Sequence, residues 1–491
     1  MSASRNVLFL TNSELGQANV TLAVAEEFLH RNEFSVHIAS FSPLAPLVKE
    51  LNQRLPCPEP AKFHQIQGPC MEDLAVRSTV GLIHHRPGIV GTVEGFQKVC
   101  MAISSWTLFE YGKAYQSCVE ILNKLHPAVV VVDPILHVGL SACQSVGSRI
   151  AVLWPVPLKD VVVLNQPNAG VLWKYPMTGS GYPYPLPWTL ILPNAYLALR
   201  AALAMNTRNP SPETLALEKG PQGRSPFPLV SPYQKDSLHL TPAFREMDFP
   251  LHIPENVVTC GPILRSHQSL SDKDPAMAAW LTKPTILISL GSHVKPTEDV
   301  AVKMAKAIQS VLSNHADHQV LWKLRYDWKN SVAFQNILGT AIDSGSARIV
   351  PWIYADIIAI LETGNIAVYV HHGGANSYFE ACKYVNLTLT PNSRNKALLI
   401  RCVLPRVGTP QVILPQWLDT YDCATRVEWL GIGVHGSRKT APGIDATELS
   451  HAIETVLRDG DIHIRAAAMR DICKTTEGRI LAHNRIANFA L

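Results

Sequence analysis

Residues 366–370, IAVYV, run without a break into residues 371–380, HHGGANSYFE. The first five are apolar or β-branched and of strand length; Tyr378, Phe379 and Glu380 open a helix-compatible stretch, with the glycine pair between. Such a strand, glycine turn and helix has a chemical use. Gly373 and Gly374 let an anion come close to the backbone, the helix start offers unpaired N–H groups at a positive dipole end, and a histidine adds a side-chain donor. The same residues also suit a plain glycine turn in which Asn376 or Ser377 caps a helix.

Outward from this stretch the same grammar repeats. Apolar runs at Thr285–Leu290, Val320–Leu324, Ile349–Val350 and Gln411–Leu414 predict a second-half α/β series, closed by helices. Asp445 and Glu448 have capping-box spacing ahead of the apolar face Leu449, Ile453, Val456 and Leu457. Toward the N-terminus, Val7–Leu10, a helix near Asn19–His30 and Phe34–Ala39 form a βαβ pattern, and Val129–Val132 and Ile150–Trp154 continue it. The prediction is α/β, with two Rossmann-like domains of parallel sheets facing across a cleft. Residues 1–250 form the first domain, 251–280 a proline-containing linker, 281–463 the second domain, and 464–491 a helix returning to the first.

With 491 residues, 47% hydrophobic and 17% charged, two domains are expected. A net charge of +4 without a basic run argues against nucleic acid. Ten cysteines without a Cys-x-x-Cys pair read as reduced thiols, so a cytoplasmic location and no zinc site are expected. Val7–Leu10 is too short for a leader core, and Pro193, Asn194 and Arg200 interrupt the apolar stretch Trp188–Met205. That stretch leaves loose membrane association open.

Ligands in open α/β sheets sit beyond the carboxyl ends of strands, which singles out Gly291, Ser292 and His293, Val350, Pro351 and Trp352, the turn 371–380, and Pro415 to Thr420. Trp352, the segment His372 to Glu380 and the run Gly408 to Asp419 resemble the donor signature of the UDP-glycosyltransferases. The resemblance, fungal in type, implies a GT-B fold and inverting, metal-independent hexosyl transfer from a UDP-sugar, a co-substrate, to a small lipophilic acceptor. It places Trp352 on the uracil, and His372 and the Gly374, Asn376 and Ser377 turn at the diphosphate, while the tight turn Gly291, Ser292 and His293 suits a phosphate by its backbone N–H groups. Glu380 falls on the ribose and Asp419, beside Thr420, on the sugar hydroxyls. Two Asp-x-Asp strings, Asp272 to Asp274 and Asp459 to Asp461, follow no hydrophobic strand and read as linker or helix-end acids.

The sequence departs from the family twice. Where the family places a histidine base oriented by an aspartate, Gln17 stands; Asp133 matches the aspartate, and Glu14 is the nearest alternative base. Residues 383–407, absent from the family pattern, read as an insertion, most simply an unspliced intron. Together these keep a second expectation in view: a sugar-nucleotide-binding protein of impaired activity. The aromatic stretch Trp173 to Trp188, with Tyr175, Tyr182 and Tyr184, is the expected acceptor wall.

Overall fold

The computed structural model describes residues 5–55, 57–77, 83–205, 213–214, 216, 236–292, 294–383 and 408–491. The expected intron therefore lies outside the described residues except for Lys383. Seven parallel strands form the first sheet: β1 (Arg5–Leu10), β2 (Phe34–Ser40), β3 (Lys62–Gln65), β4 (Val129–Val132), β5 (Ile150–Leu153), β6 (Leu238–Thr241) and β7 (Val257–Thr259), in the order β3-β2-β1-β4-β5-β6-β7. The second has six, β8 (Thr285–Ser289), β9 (Gln319–Lys323), β10 (Ala347–Val350), β11 (Ile366–His371), β12 (Gln411–Ile413) and β13 (Gly433–His435), ordered β10-β9-β8-β11-β12-β13. Helices cover both faces, so central strands such as the four valines of β4 are buried throughout and tolerate no polar alternation.

Strand order reverses between β1 and β4 in the first sheet and between β8 and β11 in the second. At each reversal the loops leaving two neighbouring strands diverge, opening a crevice at the carboxyl edge.

Three expectations change. β7 lies inside residues 251–280, expected to be linker, and completes the first sheet by pairing with β6. The C-terminal segment is two helices, Gly460–Lys474 and Gly478–Ala490, rather than one. Gly478 starts the last helix where a Cβ would lie 2.4 Å from the Gly261 carbonyl oxygen, and Ala482, Ile486 and Ala490 pack it on the first-half core. Finally, Asp445 caps the Glu448 N–H, but the Glu448 carboxylate accepts from Lys439 N and Thr440 Oγ1, so only half a capping box forms. Asp459 and Asp274 are helix caps, and Asp272 bonds Ser269, which commits both Asp-x-Asp strings locally.

A buried ionic network joins the halves. Lys159 of the first, fully buried, pairs with Asp422 of the second, which also accepts from Thr178 Oγ1 at 3.1 Å. Arg426 Nε donates to Asp248 at 2.9 Å, and the other Asp248 oxygen accepts the Lys159 N–H. Burial and the adjacent Asp422 push the Asp160 carboxyl up to about 8. Tyr378 OH donates to Met247 O at 2.6 Å. Charges taken this far from water persist only because each finds its partner across the boundary.

Candidate active site

The β8/β11 crevice is shaped by glycines packed around the His372 ring. Gly291 follows β8 at φ 77°, in the left-handed region, and a Cβ there would stand 2.6 Å from the His372 ring; a Cβ on Gly374 would stand 2.6 Å from His372 Nε2. Both positions therefore need glycine for the His372 imidazole to occupy this space. His371, by contrast, is wholly buried: its Nδ1 accepts from Gly373 N, so Nε2 carries the proton donated to Gln411 Oε1. The helix Ala375–Lys383 then begins, exposing its first N–H groups to the crevice.

The residues expected around this turn do not all face it. The Ser292 carbonyl accepts from Arg325. Ser377 Oγ accepts from Tyr369 OH at 3.1 Å. Asn376 Nδ2 reaches across the cleft to Leu15 O, 3.2 Å away, tying the glycine turn to the first residue of the helix Leu15–Arg31 that follows β1. Thr420, expected beside the sugar, is fully buried; its Oγ1 accepts from Gln416 N and Trp417 N and donates to Trp417 O, so it holds the turn instead of lining the cleft. Asp419 stands half-buried at the start of the helix Leu418–Leu430, and burial raises its carboxyl to about 6, with Asp422 adding repulsion.

Trp352 and Glu380 come together around a residue that the sequence reading missed. Lys323, the last residue of β9, sits 4.6 Å from the centre of the Trp352 ring. Burial pulls its ammonium down to about 8, and Arg325 adds to this while Glu380 opposes it. Glu380 is pushed up to about 8 by burial and by Asp356, against the pull of Lys323. A strand-end lysine inside an apolar run carried no signal of this pairing.

The β1/β4 crevice has different chemistry. Asp133, 1% exposed, accepts from Asn12 Nδ2 at 3.0 Å, Asn12 N at 3.3 Å and Ile135 N at 2.9 Å, and burial lifts it to about 6. Its expected role as orienter of residue 17 is corrected: Asn12 takes that carboxylate, and the buried Gln17 Oε1 finds no hydrogen-bond partner among the described residues. Glu14, 8% exposed, spends one carboxylate oxygen on Glu72 N at 2.8 Å while the other, also buried, has no hydrogen-bond donor among the described residues.

A second missed residue lies between the crevices. His84 stacks on Trp417 with ring centres 5.9 Å apart, and His372 approaches the same indole at 5.2 Å. Nearby, His85 N donates to Gln416 O and Tyr421 OH to His85 O. A cavity of about 920 Å³ opens here, walled by His84 and Tyr182 on one side and Thr440 and Pro442 on the other. Of the expected acceptor wall, Tyr182 alone lines it. Tyr175 is buried with its hydroxyl on Pro250 O, Tyr184 packs on Phe249 and Trp429, and Trp188 is on the outer surface.

Comparison with known proteins agrees with this geometry. The glycosyltransferase sdnJ of the fungus Sordaria araneosa is 33% identical, over 98% of this chain and 97% of its own. A family model described as UDP-glucoronosyl and UDP-glucosyl transferase matches residues 223–391. The chain belongs to the UDP-glycosyltransferase family. Solved structures share its fold across 99% of the chain: Os79 from O. sativa in complex with U2F and trichothecene, with TM-score 0.62 and 15% identity, and Phytolacca americana UGT2 complexed with UDP-2fluoro-glucose and pterostilbene, with TM-score 0.61 and 12% identity. This UDP-glycosyltransferase thus has the GT-B fold, two parallel α/β sheets with a crevice in each. Among its described residues no group of three or more His, Cys, Asp or Glu could hold a metal ion, and no helix is long and apolar enough to cross a membrane.

Proposed function

We propose that this chain moves a hexose from a UDP-sugar to a hydroxyl of a small lipophilic acceptor, with inversion and without a metal, and that Glu14 takes the acceptor proton. One observation carries the reading. The Asn376 to Leu15 hydrogen bond sets the loop after β1 against the donor turn, and Glu14, adjacent to Leu15, offers a buried carboxylate oxygen with no other use. The attacking oxygen forms its bond to the anomeric carbon as its proton passes to Glu14, and the bond to the diphosphate oxygen breaks. Negative charge developing on the diphosphate is met by His372 and the N–H groups opening the Ala375–Lys383 helix. Trp352 stacks on uracil, with Lys323 moving off that face, Glu380 binds the ribose diol, and Asp419 the sugar hydroxyls. The names of the solved relatives' partners, trichothecene and pterostilbene, support a lipophilic acceptor.

A second reading has its own support: Asp133 and Gln17 form no dyad, which suits a protein that binds the sugar nucleotide without transfer. UDP-glucose turnover against a panel of phenols and sterols, with UDP binding by calorimetry, separates the two. Turnover abolished by Glu14→Gln with UDP binding intact supports transfer, whereas binding without turnover supports the second. The same assay on a chain lacking residues 384–407 tests the intron reading; Lys383 is kept because its Nζ pairs with Glu477 at 2.7 Å.

A further inference from the structure

The helix Trp188–Met205 buries one face and leaves the other to solvent. Asn194, Leu197, Ala201 and Ala204 are buried, and Leu197 and Ala201 pack with Phe96, Met177 and Leu418, the neighbour of Asp419. Trp188, Leu192, Tyr196, Leu199 and Leu203, spaced by four, four, three and four, form a single outward stripe, each 48% to 82% exposed. On the buried face, Asn194 Nδ2 donates to the carbonyls of Val171, Leu172 and Tyr175, which fixes how the helix sits and leaves the stripe outward. Contiguous apolar surface of this kind marks an interaction site.

Charge selects the occupant. From Val161 to Pro212 the chain contains no Asp or Glu, and its cations are Lys174, Arg200 and Arg208. Arg200 is exposed beside the stripe, with Nη1 on Tyr196 OH at 2.9 Å, and the carboxylate of the packed neighbour helix Ile89–Ser104, Glu94, lines the cavity instead. A second copy paired about a two-fold axis would set this acid-free face against itself, cation toward cation. A lipid surface answers both features, with acyl chains for the leucines, the headgroup level for the Trp and Tyr rings, and anionic phosphates for Arg200 and Lys174.

We infer that the outer face of the Trp188–Met205 helix seats this protein on anionic membrane surfaces. The helix lies in the interface plane without crossing it, and its inner face touches Leu418 at the start of the helix that carries Asp419, so acceptors dissolved in the bilayer are concentrated beside the site.

The test is flotation of the full chain with phosphatidylcholine vesicles, with and without phosphatidylserine, comparing wild type with the Leu192→Ser/Leu199→Ser double variant and following UDP binding as the folding control. The expected result is capture by phosphatidylserine vesicles that weakens with salt and drops about tenfold or more in the double variant, whose UDP affinity stays unchanged. Brominated lipid should quench tryptophan emission, and this quenching should fall on Trp188→Phe. No capture by either vesicle, capture indifferent to the double variant, or concentration-dependent dimerisation that the double variant abolishes would each overturn the inference.

Discussion

The two strand-order reversals are the same place in the same kind of sheet, yet one holds carboxylates and the other glycines and a histidine. At β1/β4, Glu14 and Asp133 are buried a short way from each other, close enough for Glu14 to raise Asp133 further. At β8/β11, Gly291 and Gly374 leave room for the His372 ring ahead of a helix start. The topology supplies only the crevice. Side chains decide its polarity: carboxylates line one crevice and glycines and a histidine the other, the division of labour on which the proposed reaction rests.

This contrast can be broken experimentally. Glu14→Gln keeps the Glu72 N–H bond possible but removes the carboxylate proposed to take the proton, so kcat should fall roughly 100- to 10,000-fold with UDP affinity unchanged in calorimetry. A fall confined to KM would mean that Glu14 positions the acceptor without taking its proton. Gly291→Ala should act on the opposite crevice, displacing His372 and costing roughly 100-fold in kcat/KM, with weakened UDP binding. Equal effects on binding from both variants would erase the division of labour.

A subtler effect concerns pH. Glu380 titrates near 4.5 when unperturbed and near 8 here, so between these values the native state holds a proton that the unfolded chain has released. Its contribution to stability is complete below about 4.5 and is lost as pH rises through about 8. Glu380→Gln should therefore flatten the decline of Tm across that window; an unaltered slope would show that Lys323 neutralises the carboxylate. The smallest change is expected from Gln17→His, within about threefold in kcat, because Asn12 already occupies Asp133. A large gain would mean that Asp133 can be recaptured by an imidazole.

Both sheets were legible in the sequence wherever strands are continuously apolar and central, as in β1, β4, β8 and β11. The strands β3, β6, β7 and β13 were not, lying at or near sheet edges, where in β3 and β6 Lys62, His64 and His239 break the apolar pattern. Within the site, the glycine turn showed itself because its chemistry is contiguous. His84 and Lys323 did not, since each acquires its place only through folding, His84 against Trp417 more than three hundred positions away. Asn376 and Thr420 illustrate a different limit. Short polar residues beside a helix start serve equally as ligand contacts or structural ties, and only the fold shows that one holds Leu15 and the other its own turn.

The ionic network across the boundary also limits how this protein can be recombined. Lys159 and Asp248 come from the first half, Asp422 and Arg426 from the second, and each buried charge is neutralised by a residue the other half supplies. A chimera that grafts the second half of a relative onto this first half inherits two carboxylate or cation orphans unless it exchanges all four residues together. The two halves are thus inherited through a shared seam, and any shuffling of them has to respect it.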